Sequence, residues 1–132
     1  MTLPAPPNLR FGPLTITDIV RYAGASGDFN PLHHDPEYAK AAGLPGVMAH
    51  GMLSAGLLAS FVTQWHGPGC VRRYKVRFTD RVWPGDVLVP KGTIGRTFVA
   101  ANGEERAELS LELVRQGGGN VITGSAEVAL KA

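Results

Sequence analysis

Two hydrophobic periods run along this chain, and the change from one to the other organises it. In the first half the apolar positions recur at helical spacing. Thr15 followed by Asp18 reads as an N-cap with an acidic first turn, and Ile16, Ile19, Val20 and Ala23 then fall on one face up to Gly24. Asp35, Pro36 and Gly43 supply the cap, the first position and the stop of a second short helix over 36–42. From Gly51 to Trp65 nearly every side is apolar or small, the pattern of a helix wrapped by other structure. That stretch rises only about 22 Å, too little for a bilayer, so a buried central helix is predicted.

After Trp65 the period becomes two. Tyr74, Val76 and Phe78 alternate with Arg73, Lys75, Arg77 and Thr79, which turns the apolar side of a strand toward the helix. Pro84-Gly85-Asp86 is a turn, and the strand that follows over 87–100 contains Pro90 and Gly92, marks of an edge or a bulge. Asn102-Gly103 signals a hairpin into 106–116, where Leu109, Leu111 and Leu113 alternate with polar residues. Gly117 to Gly119 turns the chain into a last strand over 121–130, and a proline-rich arm over 1–8 leads into a short strand near 9–14. Helices followed by a meander of antiparallel strands define an α+β class, built most simply as a sheet wrapped around one buried helix.

Composition narrows the class of partner more than the fold. The 132 residues, 14.0 kDa, fit one domain over 1–132, and 44% hydrophobic with 18% charged residues describes a globular chain. A net charge of +2 with no long run of like charge argues against a nucleic-acid partner. Cys70 is the one cysteine, which excludes an internal disulfide and fits a reducing compartment. No basic start followed by an apolar run reads as a secretory signal, and no stretch is long enough for a membrane span, so a cytoplasmic location is expected.

The candidate chemistry lies in Ser26-Gly-Asp-Phe-Asn-Pro-Leu-His33. Gly27 frees the backbone and Pro31 pushes Asn30 out of the helical region, so the segment turns. Such a turn brings Asp28 and His33 to bear on one water as an acid/base pair. Asp, Asn, Gly and Pro are also what a polar turn uses for Asx hydrogen bonds, and the loop alone leaves both readings open. His33, His34 and Asp35, with His50 and His66 elsewhere, place no pair at i, i+4 on one helix, so no metal is expected. Cys70, with no motif around it, reads as a buried or incidental thiol. Gly51 opens the central helix, where an N–H has no intrahelical partner and meets negative charge at the positive dipole end.

The segment from Tyr22 to His33 resembles the signature loop of the MaoC-like R-specific enoyl-CoA hydratases and (3R)-hydroxyacyl-thioester dehydratases. Ala49-His50-Gly51-Met52-Leu53 resembles the start of that family's central helix, and Val76-Arg77-Phe78 with Val82-Trp83-Pro84-Gly85-Asp86 is a weaker third match. The resemblance implies a hotdog fold, with dimers whose sheets join side by side. It implies Asp28 and His33 as the catalytic pair, the Gly51 N–H as oxyanion donor and Asn30 as a support of the loop or the water. His50 is read as a residue fixing the loop before Gly51, while Leu32 and Met52 are placed near the substrate. Many relatives carry a serine in the central helix where this chain has Ala59, with Ser54 and Ser60 nearby.

The activity so implied is reversible hydration of a trans-2-enoyl thioester to the (3R)-3-hydroxyacyl thioester, with no metal or redox cofactor and the acyl group on CoA or an acyl carrier protein. Arg73, Lys75 and Arg77, in a row with Arg72, fit either the phosphates of CoA, the acidic surface of a carrier, or a solvated sheet face. Phe61 and Trp65 fit either an acyl tunnel or plain core. A homodimer is expected. The alternatives are a non-catalytic thioester-binding subunit of a hotdog heterodimer and an acyl thioesterase.

Overall fold

In the computed structural model, which describes residues 3–130, Thr15 starts the first helix through a full capping box. Its hydroxyl accepts the Asp18 N–H at 3.0 Å, and the Asp18 carboxylate accepts the Thr15 N–H at 2.8 Å. Helix α1 spans Ile16–Ser26, two residues past the expected Gly24, because Gly27 rather than Gly24 takes the left-handed φ of 76° that ends it. A single 3-10 turn, Pro31–His33, precedes α2, Pro36–Ala41, whose first N–H groups are met by the Asp35 carboxylate. Helix α3 spans Gly51–His66. Positions 1, 2, 131 and 132 of the expected arm and domain ends lie outside the described residues.

Strands β1 (Val71–Phe78), β2 (Leu88–Val99), β3 (Glu105–Arg115) and β4 (Asn120–Ala129) form one antiparallel sheet in the order β1-β4-β3-β2. The expected meander therefore holds only for β2, β3 and β4. The chain from 79 to 87 crosses from one edge of the sheet to the other instead of turning in a hairpin. That segment is tied elsewhere, with Val82 buried and its carbonyl accepting the Ala49 N–H at 2.8 Å.

The strand expected near 9–14 reduces to one bridge, in which Phe11 and Leu88 exchange hydrogen bonds of 2.8 Å. Pro13, lacking an N–H, stops that ladder from continuing. Pro90 sits on the edge strand β2 as expected, but the bulge lies between Ile94 and Thr97. Gly92 serves close approach instead: a Cβ there would lie 2.5 Å from the Trp65 ring.

The sheet packs on α3 through Leu109, Leu111, Leu113, Ile122 and Val128, against Ala55, Leu58, Phe61, Val62 and Trp65. Each Leu or Val so buried contributes about 1.5–3 kcal/mol relative to exposure. Phe61 and Trp65 are thus core, and the Trp65 indole N–H is satisfied by the Pro4 carbonyl at 2.8 Å. The apolar side of β1 meets the helix as expected, with the Tyr74 hydroxyl donating to the Ala55 carbonyl at 2.7 Å. The helix is not enclosed all round: Met52 is 61% exposed, and Gly56 and Gln64 face outward. The four-stranded sheet covers one side of that helix. No helix among the described residues is long and apolar enough to cross a membrane.

Candidate active site

The turn chemistry and the acid/base pair occupy the same loop. The Asn30 side chain accepts the Leu32 N–H at 3.0 Å, and the Asp28 carboxylate accepts the Asn30 N–H at 3.3 Å. These local bonds wind 31–33 into the 3-10 turn, which carries His33 inward to 7% exposure and leaves Asp28 exposed. Asn30 therefore holds the loop through its own side chain.

His33 Nδ1 lies 2.7 Å from the Met48 carbonyl. A carbonyl only accepts, so Nδ1 carries the proton and the neutral ring keeps its lone pair on Nε2. His50, the N-cap residue of α3, has the opposite arrangement: Nε2 lies 3.1 Å from the Asp28 backbone carbonyl and must donate to it. Its Nδ1 is buried with no hydrogen-bond partner among the described residues. The two imidazoles stack at 3.7 Å and 21°, and Tyr22 meets His50 edge-on at 4.9 Å. His50 thus ties the Asp28 backbone to the entry of α3 and supports the face of His33.

One carboxylate oxygen of Asp28 and one ring nitrogen each of His33 and His50 lie within 4.8 Å of one another. The Asp28 and His33 atoms are close enough for one water to bridge them at hydrogen-bond distances of about 2.8 Å. The same three residues are a plausible donor set for a metal by type, but not by direction. Imidazole lone pairs lie in the ring plane, and two stacked, nearly parallel rings aim them side by side rather than at a common ion.

Gly51 begins α3 immediately after this cluster, where helix geometry leaves its N–H without an intrahelical acceptor. A Cβ at Gly51 would lie 3.2 Å from the Phe78 ring, so the two residues are in close apposition. Beside them is a cavity of about 420 Å³ lined by Met48, His50, Gly51, Ser54, Phe78 and the segment 79–82, among others. Asp28 and His33 do not line it; His50, Gly51 and Met48 connect it to the pair. Ser54 rather than Ser60 reaches this cavity, since the Ser60 hydroxyl bonds back to the Leu57 carbonyl at 2.7 Å. Ala59 is not among the lining residues.

Other residues singled out in the sequence are not brought to this place. Met52 points away to solvent, and Leu32 contributes its carbonyl, which accepts the Met48 N–H at 3.1 Å. Arg73, Lys75 and Arg77 are exposed on β1 and none lines the cavity, while Arg73 pairs loosely with Glu127 at 3.9 Å. Three contributors escaped the sequence reading. Met48 acts through backbone groups, which leave no residue-type signal. Phe78 appeared as an apolar position of a strand and within the weaker third match, with no role at the site attached to it. Arg115 reaches the segment 80–86 from the far end of β3. Burial works against the Arg115 charge, but the hydrogen bonds it donates to Asp80 and Asp86, with the charges of those carboxylates, outweigh it and hold its pKa above the ordinary value.

A sheet curled over a helix, with an acid and two imidazoles at the helix start, defines a hotdog domain with a candidate proton-transfer site. The family model for the MaoC like domain matches residues 6–105, and the chain belongs to that family. The solved structure of R-hydratase PhaJ1 from Pseudomonas aeruginosa superposes with a TM-score of 0.86 at 27% identity, covering 100% of this chain and 84% of that one. An (R)-hydratase from A. caviae involved in PHA biosynthesis gives 0.84 at 26% identity, covering 99% and 98%. Among curated proteins, the peroxisomal hydratase-dehydrogenase-epimerase of Saccharomyces cerevisiae is 47% identical over 66 residues, 50% of this chain and 7% of that protein. The peroxisomal enoyl-CoA hydratase 2 of Arabidopsis thaliana is 39% identical over 67 residues, 48% of this chain and 22% of its own length. The matches thus span a small part of these curated relatives.

Proposed function

We propose that this chain is a hydro-lyase that adds water reversibly to a trans-2-enoyl thioester, giving the (3R)-3-hydroxyacyl thioester. The observation that carries the reading is the meeting of the Asp28 carboxylate with the His33 imidazole, whose tautomer leaves Nε2 basic, at the start of α3. Membership of the MaoC-like family and the likeness to two (R)-hydratases support it.

In the hydration direction Asp28 and His33 Nε2 hold one water. As its oxygen bonds to the β-carbon, Nε2 takes a proton and the π electrons move through the α-carbon to the thioester oxygen. The Gly51 N–H meets the negative charge on that oxygen. Collapse of the enolate takes one proton at the α-carbon, so the proton removed from water is returned and the pair regains its starting state. Dehydration is the same path reversed. The steps use water and protons alone, with CoA or an acyl carrier protein as the thiol of the substrate.

The outer edge of β1 makes no ladder with another strand among the described residues, and a homodimer joined along that edge follows as part of the reading. Light scattering on the eluting protein tests it, and a monomer at working concentration removes it. The activity is tested by loss of the conjugated enoyl absorbance of crotonyl-CoA, extended to longer, branched and carrier-bound enoyl thioesters. Asp28→Asn and His33→Ala should each lower turnover by about 10²–10⁴. Wild-type turnover in either variant sinks the assigned role. Free thiol release without hydration replaces the reading with thioester hydrolysis.

A further inference from the structure

Arg115, the last residue of β3, stands outside every motif that marks the reaction, yet its guanidinium anchors one wall of the cavity beside Gly51. Nε donates to the Asp86 carboxylate at 3.1 Å, Nη1 to the Asp80 carboxylate at 3.1 Å, and Nη2 to the Arg81 carbonyl at 2.5 Å. The same Asp86 oxygen accepts the Trp83 N–H at 2.9 Å. One planar, forked cation thus gathers both ends and the backbone of the segment that crosses the sheet. The guanidinium-bearing side chain is 23% exposed and Asp86 18%, so the bond between them is shielded more than that of an open surface pair, whereas Asp80 is 53% exposed.

What Arg115 holds is in turn fastened to the site. Asp80, Arg81 and Val82 line the cavity, and the Val82 carbonyl accepts the Ala49 N–H at 2.8 Å. Ala49 lies between Met48, whose carbonyl accepts from His33, and His50-Gly51. Displacing the segment 80–86 therefore moves the cavity wall and loosens the stretch of chain that feeds α3. The Asp28–His33 loop keeps its own bonds through Asn30 and through the Met48 N–H to Leu32.

We propose that Arg115 is a positioning residue for the thioester, setting the wall formed by 79–82 and, through Val82 and Ala49, the presentation of the Gly51 N–H. The kinetic half of this inference rests on the hydratase reading; the structural half stands without it. A lysine keeps the charge but offers a point donor in place of a fork, so it cannot span two carboxylates and a carbonyl.

The test compares wild type, Arg115→Gln and Arg115→Lys as full chains by amide hydrogen exchange and by steady-state kinetics on crotonyl-CoA. Amides of 80–86 and 49–51 should exchange roughly 10-fold faster in both variants, while those of 28–34 stay unchanged. KM should rise roughly 10-fold in both, with kcat falling less than KM rises. Unchanged exchange at 49–51 overturns the coupling. Faster exchange over the whole chain with an unchanged KM assigns Arg115 to stability alone and overturns it equally. Full recovery by Arg115→Lys overturns the fork argument. Should both variants fail to fold, Asp80→Asn removes one exposed limb of the clamp and should move KM and exchange in the same directions, by roughly 3-fold. A wild type inactive on every enoyl thioester refutes the hydratase reading, and the exchange measurements still decide the clamp.

Discussion

Replacing Gly51 by proline removes one N–H while leaving the helix its preferred start. Gly51 is the first residue of α3, where proline is tolerated because the N–H is unpaired in any case. The residue before a proline must be extended, and His50 already is, with φ −65° and ψ 136°. The new Cβ falls 3.2 Å from the Phe78 ring, but Phe78 is 49% exposed and yields by a few tenths of an ångström. Gly51→Ala adds the same atom and keeps the N–H, so it is the proper reference. Both variants should keep wild-type stability to about 1 kcal/mol, or about 4 °C in Tm for a chain of this size. If this N–H meets the developing oxyanion, Gly51→Pro should turn over crotonyl-CoA about 10²–10³ more slowly than Gly51→Ala, a loss of about 2.7–4 kcal/mol of transition-state stabilisation. A folded Gly51→Pro enzyme within about 3-fold of Gly51→Ala would refute the oxyanion assignment.

Two further substitutions test the packing that holds the site. Gly92→Ala places a methyl 2.5 Å from Trp65 and 3.1 Å from the fully buried Phe61. Overpacking of this kind costs about 1–3 kcal/mol and should lower Tm by roughly 4–11 °C, while Gly95→Ala, with its nearest neighbour at 3.5 Å, should be tolerated. Equal Tm values for the two by calorimetry would contradict that packing. Tyr74, whose pKa burial pushes up to about 12, loses more by ionising in the folded state than in the unfolded chain. A raised folded pKa contributes stability that is complete below the ordinary value near 10 and is lost as pH rises toward about 12. Denaturant midpoints followed from pH 8 to 11.5 should therefore fall less steeply for Tyr74→Phe than for wild type, and parallel curves would exclude Tyr74 as the source.

Most of the local structure was legible because its causes are local. Thr15 with Asp18, Asp35 before Pro36, and Asn102-Gly103 each act within a few residues, and each appears as a cap or turn in the fold. The gathering of Asp28 and His33 was legible too, since Gly27, Asn30 and Pro31 shape that loop from within. Strand order was not. β4 pairs with β1 across some fifty positions, and no alternation pattern says which neighbour a strand will take. Met48 and Val82 serve through carbonyl groups that every residue possesses, and Arg115 acts from a segment whose sequence shows only a charged strand end.

The two buried histidines show why residue type alone could not have divided the roles. His33 and His50 are the same side chain, stacked face to face, and each binds one backbone carbonyl. The nitrogen bound differs. His33 gives up Nδ1 to Met48 and retains Nε2, whereas His50 gives up Nε2 to Asp28 and retains an Nδ1 buried without a partner among the described residues. Proton exchange with a water needs a lone pair that the water can reach, and burial denies that to His50. The same bond that removes His50 from the proposed proton transfer fastens the backbone of Asp28, so the second histidine serves the pair by holding one member and supporting the ring face of the other. The Met48 carbonyl decides the matter for His33, and Met48 is held by the loop it serves, through its N–H to Leu32. Acid, base and proposed oxyanion donor are thereby referred to one short run of backbone, Met48 to Gly51.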